Sequence, residues 1–204
     1  MLAIADTCLL IDWASYRKRD ILSKIFTSIF VPEQVLDEVK SESILAWITE
    51  NFARGTLILF TPTPDIVQEA QNLVKIVAQI PWARKIELPE AICLATGRLY
   101  GYTVLTENRG ALMVKEILPE YHTVRIYRSI DILREAMLKR IINVSTREEI
   151  LAELEIFNKD TGHIFRDRDI EELVKKVMAN VPRRNQEKMG KNRGGRRTNK
   201  IKNG

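Results

Sequence analysis

The chain has few of the residues that most often bind zinc, since its 204 residues include two cysteines and two histidines. Cys8 and Cys93 are far apart and provide no framework of disulfides, and His122 and His163 stand alone, so a structural zinc site is not expected. Both cysteines lie in apolar stretches, which indicates buried thiols in a reducing compartment. We therefore expect a cytoplasmic protein.

Long apolar runs are also missing. No stretch approaches the roughly 18 apolar residues that a membrane-spanning helix needs. Near the first residues no basic segment precedes an apolar one, and Asp6 interrupts the apolar run early. We expect neither a signal peptide nor a membrane partner. The length fits one medium-sized domain, or one domain with an extension.

Positive charge is concentrated in residues 181–204. This tail has nine Lys or Arg and one acid, a net +8, and because the whole chain carries +5, residues 1–180 carry a net −3. Such a tail is expected to be disordered alone and to contact RNA phosphates. The alternative is a terminus that only keeps the chain in solution. The arginines expected to bind RNA are Arg183, Arg184, Arg193, Arg196 and Arg197.

Short apolar runs alternate with helix-like segments through residues 1–142. The runs at residues 2–5, 29–31, 57–60, 103–105 and 123–127 predict strands, and the run at 57–60 is typical of a buried strand. Pro, Gly and capping residues mark helices between them, one of which is expected to begin at Pro32. The alternation predicts an α/β fold with a largely parallel sheet.

Residues 143–180 predict a helical extension, which separates the domain at 1–142 from the basic tail at 181–204. Ser145–Glu148 resembles a capping box, and residues 158–162 indicate a turn. The next helix carries an apolar stripe from Ile170 to Val177. That stripe either folds back on the domain or pairs with another chain.

Acidic side chains stand at the ends of several predicted elements. Ligands bind parallel sheets at the carboxyl ends of the strands, so these side chains are expected to meet in one cleft. Carboxylate oxygens without Cys or His nearby are what hard cations such as Mg²⁺ prefer. The candidate ligands and catalytic residues are Asp6, Glu38, Glu90, Glu107 and Asn108.

Each of these residues also has a simpler interpretation. Asp6 suits a helix cap, and the Glu107-Asn108 pair suits a tight turn. Glu38 suits a solvated helix face, and Glu90 suits the first turn of a helix, where an acid stabilises the helix dipole. The four positions taken together, rather than any single one, favour a metal site.

The motifs resemble those of the PIN-domain family of metal-dependent ribonucleases, which includes the VapC-type toxins. The resemblance covers about residues 1–130 and lies in Asp6-Thr7 after the first strand, Glu38 in a Val-Pro…Val…Glu-Val segment, Glu90 at the head of an Ala-Ile-Cys-Leu-Ala-Thr helix, and Leu105-Thr106-Glu107-Asn108. Two positions depart from the family pattern: Glu90 stands where Asp is usual, and Asn108 stands where Asp is frequent. Residues from about 143 onward have no counterpart in it.

The resemblance implies a three-layer α/β/α domain and an endoribonuclease that uses Mg²⁺ or Mn²⁺. The implied metal ligands, direct or through water, are Asp6, Glu38 and Glu90. Glu107 or Asn108 completes the set, and Thr7 and Thr106 are hydrogen-bonded behind these residues. Arg109 and Lys115 are candidates for holding RNA phosphates, with an exposed helix face as the alternative.

RNA is then the substrate, and the family offers two roles. One is a VapC-type toxin with an antitoxin-like protein inhibitor as partner, and the other is an RNA-processing nuclease. The long basic extension favours the second role. PIN-like domains commonly form homodimers. The alternative from another class is a non-catalytic RNA-binding scaffold with an eroded acidic site, which the departures at Glu90 and Asn108 keep open.

Overall fold

Five parallel strands form one central sheet in the computed structural model, which describes residues 1–180. The tail arginines predicted to bind RNA lie outside these residues. The strands are β1 (Leu2–Ala5), β2 (Ser28–Pro32), β3 (Leu57–Phe60), β4 (Thr103–Leu105) and β5 (Ile126–Tyr127). Their order across the sheet is β3-β2-β1-β4-β5. Ala3 in β1 pairs with Ile29 on one side and with Thr103 on the other.

Helices connect consecutive strands and flank the sheet, an arrangement consistent with three α/β/α layers. In chain order within residues 1–180 they are α1 (Thr7–Ser15), α2 (Ile21–Ile25), α3 (Glu33–Glu38), α4 (Glu42–Ala53), α5 (Pro64–Ala78), α6 (Leu88–Tyr100), α7 (Arg109–Ile117), α8 (Ser129–Leu138), α9 (Arg147–Thr161) and α10 (Asp167–Asn180), with a 3₁₀ turn at Pro119–Tyr121. The α/β prediction is therefore confirmed. None of these helices is long and apolar enough to cross a bilayer.

The strand order changes direction between β1 and β4. From β1 the chain adds β2 and then β3 on one side, and later adds β4 and β5 on the other. In open parallel sheets this change leaves a crevice at the carboxyl ends of the two central strands. Asp6 follows β1 directly and Thr106 follows β4 directly, so both open onto that crevice.

Helix α6 lies close against the middle of the sheet, on β1, β2 and β4. Gly97 permits this approach, since a Cβ at that position would lie 2.6 Å from Val104 Cγ2 and 3.0 Å from Val124 Cγ1. Any larger side chain would push the helix away from β4. Glu90 lies two turns earlier, in the first turn of the same helix, so its close packing also holds Glu90 near the crevice.

Several boundaries differ from the sequence prediction for local reasons. Pro32 ends β2 and precedes α3 rather than starting it. The capping box of α9 joins Thr146 to Glu149, one residue later than predicted. That helix runs through the predicted turn to Thr161 and closes at Gly162, whose φ of 73° suits glycine. The last strand is two residues long instead of five.

Strand β3 is less buried than its apolar sequence predicted. Leu57 is 1% exposed, but Leu59 is 51% exposed. The reason is its position at the edge of the sheet, where it pairs only with β2. A continuous apolar run identified a parallel strand here but did not distinguish a central strand from an edge strand.

The C-terminal extension packs on the side of the sheet that carries α1 and α8. Phe157 of α9 is fully buried, with its ring centroid 5.5 Å from that of Trp13 and 4.8 Å from that of Tyr16. Helix α10 packs on α8 and buries Leu173 and Val177. Of the two possibilities left open by the sequence, the apolar stripe of α10 therefore folds back on the domain.

Candidate acidic site

The site is built around Asp6, at the junction of β1 and α1. Its backbone N–H donates to Leu105 O at 3.0 Å, which continues the pairing of β1 with β4. Its Oδ1 accepts a hydrogen bond of 2.7 Å from Thr7 N, so Asp6 does cap α1, as the simpler interpretation proposed. The side chain is nevertheless 2% exposed and faces the crevice between the two strands.

The second oxygen of Asp6 is held by side chains. Oδ2 accepts a hydrogen bond of 2.6 Å from Thr106 Oγ1 and one of 3.0 Å from Cys8 Sγ. Thr106 Oγ1 in turn accepts a hydrogen bond of 3.0 Å from Asn108 N. The carboxylate is thus fixed in orientation by neutral donors from both strand ends.

Glu38 reaches the site from the last residue of α3. Its Oε2 accepts a short hydrogen bond from Thr7 Oγ1, while Thr7 N donates to Asp6 Oδ1. One threonine therefore ties two carboxylates together. The predicted supporting roles of Thr7 and Thr106 are consistent with these contacts, since each hydroxyl donates to one acid of the set.

Glu90 enters from the first turn of α6. Its Oε2 accepts from Glu87 N at 3.1 Å, which forms one half of a capping box, and its Oε1 accepts from Asn108 Nδ2 at 2.8 Å. Burial raises the pKa of Glu90, and the charges of Asp6 and then Glu38 raise it further. Glu90 is therefore close enough to Asp6 and Glu38 to be repelled by their charges.

Asn108 uses both ends of its amide. Its Oδ1 accepts from Gly110 N at 2.7 Å and from Ala111 N at 3.1 Å, which caps α7. Its Nδ2 donates to Glu90. The oxygen is already occupied by two backbone donors, so Asn108 supports Glu90 rather than adding a further oxygen ligand to the cleft.

Glu107 is not brought together with the other three acids. Its Oε1 accepts a hydrogen bond of 2.5 Å from Ser129 N, and its Oε2 lies 3.8 Å from His163 Nε2. Burial raises the pKa of Glu107, although the Ser129 N–H and His163 oppose this. The side chain therefore joins β4 to α8 and to the extension.

The three grouped carboxylates have no basic partner among the described residues. Within residues 1–180, none of Asp6, Glu38 and Glu90 forms a salt bridge. Carboxylates held together without a basic partner favour either a proton or a divalent ion. The donor set thus fits a hard cation in its chemistry.

The arrangement, however, is not that of a ready metal site. In the part of the chain that the structure describes, no group of three or more His, Cys, Asp or Glu is arranged so that it could hold a metal ion. The hydrogen bonds explain why, since Glu38 is turned to Thr7 and Glu90 is turned to Glu87 and Asn108. The two glutamates would have to exchange these contacts to share one ion with Asp6.

Comparisons with known proteins do not assign the chain to a family. A scan against models of protein families finds no match, and a search of curated proteins finds none. The PIN-like interpretation thus rests on the four motifs, and the acidic site has to be argued from its own geometry.

Two residues beside the site were not predicted from the sequence. Cys8 Sγ donates to Asp6 Oδ2 and accepts from Glu107 N at 3.3 Å, and burial, together with the charge of Asp6, raises its pKa well above the usual thiol range. His163 Nδ1 lies 3.1 Å from Asp12 Oδ2. In the sequence, Cys8 could have been placed near the site only because it stands two residues after Asp6. No local pattern placed His163 there.

The predicted phosphate-binding residues lie on α7, the helix that Asn108 caps. Arg109 is exposed at the first residue of α7, directly after Asn108, and Lys115 is half-buried on the same helix. Both line an open groove that continues toward the C-terminal extension.

Proposed function

We propose that this protein is a divalent-metal-dependent endoribonuclease with a PIN-like domain. The observation that carries the proposal is the grouping of Asp6, Glu38 and Glu90 from three separate elements at the crevice between β1 and β4. Burial and mutual repulsion raise the pKa of Glu90, and no basic side chain within residues 1–180 neutralises the group. Such a group is stabilised by binding a cation.

Asp6, Glu38 and Glu90 are the residues that would hold Mg²⁺ or Mn²⁺. When bound, such an ion supplies Lewis acidity toward a phosphoryl oxygen and lowers the pKa of a coordinated water. Asp6 is kept in orientation by Thr106 and by the N–H of Thr7. Thr7 and Asn108 hold Glu38 and Glu90 at the rim until a cation replaces those contacts.

The remaining parts of the proposal concern biological role. RNA is the substrate and the cytoplasm is the location. An RNA-processing nuclease is preferred to a VapC-type toxin with an antitoxin-like inhibitor because of the long basic extension. Homodimer formation is part of the same proposal and is tested by sedimentation of the full chain.

A non-catalytic RNA-binding module is the competing function, and Asn108 is the observation that favours it. Its oxygen is bound to the first turn of α7, so the site has three grouped carboxylates and lacks a fourth at this position. Under this hypothesis the basic residues near α7 bind RNA and the acids only cap helices.

Cleavage of labelled RNA separates the two functions. The full chain is incubated with single-stranded and hairpin RNAs in Mn²⁺, Mg²⁺ or EDTA, and compared with Asp6→Asn and with Asp37→Asn. Asp37 is an exposed acid next to Glu38, so it controls for loss of one charge near the site. We expect cutting in Mn²⁺ or Mg²⁺ by the natural chain and by Asp37→Asn, and none by Asp6→Asn.

Calorimetric titration with Mn²⁺ gives a second readout that does not depend on activity. The natural chain and Asp37→Asn should give binding heats, which Asp6→Asn should lack. RNA binding without cutting, together with equal Mn²⁺ heats for all three proteins, would reject the nuclease and leave the binding module.

A further inference from the structure

An open groove of about 800 Å³ runs between α7 and the segment that joins α9 to α10. Its charged lining is mostly basic, with six Lys or Arg against three acids. The basic residues are Arg84, Arg109, Lys115, Arg128, Arg166 and Arg168, and the acids are Glu116, Asp131 and Asp169.

Most of the positive charge in this groove is not used to hold the fold. Arg128 is the exception, because its Nη1 lies 2.7 Å from Asp169 Oδ2 and its Nε lies 3.5 Å from Asp131 Oδ2. Asp131 also pairs with Arg134 at 2.8 Å. Two of the three acids are thus neutralised from within the protein.

The other five cations form no salt bridge within residues 1–180. Four of them are exposed and Lys115 is half-buried. A groove lined by unpaired charges of one sign attracts anions and raises their local concentration. Four of the five are arginines, whose planar guanidinium groups match the geometry of phosphate oxygens.

The groove adjoins elements that carry the acidic site. Arg109 follows Asn108, which donates to Glu90, and Arg84 lies in the segment that leads into α6. A smaller cavity of about 130 Å³ shares Arg109 and Arg166 with the groove and reaches Glu107 and His163. An anionic chain held by Arg109 would therefore lie next to Asn108, the residue that donates to Glu90.

We propose that this groove binds the sugar–phosphate backbone of an RNA strand and leads it to Asp6, Glu38 and Glu90. The C-terminal extension then belongs to the substrate-binding surface, because Arg166 and Arg168 form one wall of the groove. The choice of RNA rests on the proposed function. The choice of a phosphate chain over an acidic peptide rests on the predominance of arginine among the basic lining residues.

The test measures binding in the absence of cleavage. Fluorescence anisotropy of a labelled single-stranded RNA of mixed sequence is followed with the full chain in EDTA, over a range of NaCl concentrations. The variant is Arg166→Gln with Arg168→Gln. Both side chains are exposed and outside any salt bridge that the structure describes, so the fold should be unchanged by circular dichroism and thermal unfolding.

The matched control is Lys24→Gln with Lys75→Gln, which removes the same charge. These residues, on α2 and α5, are exposed, do not line the groove and form no salt bridge within residues 1–180. Each phosphate contact to a single strand contributes about 0.7 to the slope of log K against log salt. We expect the groove variant to bind several-fold more weakly with a slope lower by about 1.4, and the control to match the natural chain.

Equal losses in the groove variant and in the control would overturn the proposal, because net charge alone would then explain binding. An unchanged slope in the groove variant would overturn it as well. Displacement of the RNA by poly-glutamate at lower concentration than by unlabelled RNA would instead assign the groove to an acidic protein partner. Residues 181–204 are present in every protein compared, so their contribution cancels.

The outcome is distinguishable from that of the proposed function. Groove-dependent RNA binding without metal-dependent cutting would support the groove and reject the nuclease. Metal-dependent cutting with binding unaffected by the groove variant would support the nuclease and reject the groove.

Discussion

Asn108 connects the first turns of two helices, because its Nδ2 donates to Glu90 Oε1 at 2.8 Å while its Oδ1 accepts from Gly110 N at 2.7 Å. The side chain thereby neutralises part of the repulsion that Glu90 experiences from Asp6. A carboxylate at this position would keep the cap of α7 but would lose the donor to Glu90. The residue at position 108 therefore determines how much a bound cation stabilises the site.

Asn108→Asp should lower the stability of the metal-free protein and increase its stabilisation by Mn²⁺. The added charge faces Glu90, so we expect the free energy of unfolding without metal to fall by about 1–3 kcal/mol. A ligand that binds only the folded state raises stability in proportion to RT ln(1 + [L]/Kd). Mn²⁺ should accordingly raise the melting temperature of the variant more than that of the natural chain.

Asn108→Ser is the control, since serine also caps helices but brings no charge. If Mn²⁺ stabilises the Asp and Ser variants equally, position 108 does not face the bound cation and this account of the site is wrong.

Thr106→Val should leave the carboxylate of Asp6 less firmly oriented. The hydroxyl donates to Asp6 Oδ2 at 2.6 Å and accepts from Asn108 N at 3.0 Å, and the residue is 1% exposed. Valine keeps the shape but leaves the Asn108 N–H without its partner, which costs about 1–3 kcal/mol. Loss of a group that orients a metal ligand typically lowers metal affinity about 10- to 100-fold.

Urea unfolding and Mn²⁺ calorimetry measure these two effects separately. Thr106→Ser keeps the hydroxyl and should resemble the natural chain in both measurements. Equal Mn²⁺ affinity in the Val and Ser variants would mean that the hydroxyl does not position Asp6.

The sequence predicted the grouping of Asp6, Glu38 and Glu90 because each follows a local signal at an element end. It did not predict that Glu107 turns away from them, since that depends on Ser129 and His163, which lie 22 and 56 residues later in the chain. Which way a side chain turns at a strand end is decided by such distant partners.

Burial was predicted less well than element type for a similar reason. The apolar run of β3 marks a strand, but its place at the sheet edge depends on strand order, which no local pattern encodes. The capping box of α9 was displaced by one residue because Ser145 and Thr146 offer equivalent hydroxyls, with Glu148 and Glu149 at equivalent spacing.

His163→Gln should reduce the change in stability between acidic and alkaline pH. The hydrogen bond to Asp12 raises the pKa of His163, and the charge of Glu107 adds to this, whereas burial and Arg128 lower it. A histidine whose pKa is raised by folding stabilises the protein fully below about pH 6.5, and this contribution is lost as pH rises through the folded-state pKa.

The measurement is thermal unfolding of the natural chain and the variant at several pH values from about 5.5 to 8.5. The difference between them should shrink as pH rises. His122→Gln replaces an exposed histidine and should follow the natural chain throughout. A constant difference at all pH values would show that His163 contributes by packing and not by charge.

Phe157→Ala tests whether the C-terminal extension and the sheet fold as one unit. The Phe157 ring lies in contact with Trp13 and Tyr16 of the α1 region and stacks on Phe165 at 5.5 Å. Removing a fully buried phenylalanine typically costs about 3–5 kcal/mol. If the extension is integral to the domain, the whole chain should unfold at lower denaturant in a single transition, detected alike by tryptophan fluorescence and by circular dichroism.

Ile164→Ala is the matched control, because Ile164 belongs to the same C-terminal extension but is 85% exposed. Loss of its side chain should change stability little. Two separate transitions in Phe157→Ala would mean that α9 and α10 open while the sheet stays folded. The wall of the groove formed by Arg166 and Arg168 would then be present only part of the time. RNA affinity would fall in Phe157→Ala even though no basic residue had been removed, and Ile164→Ala would keep it.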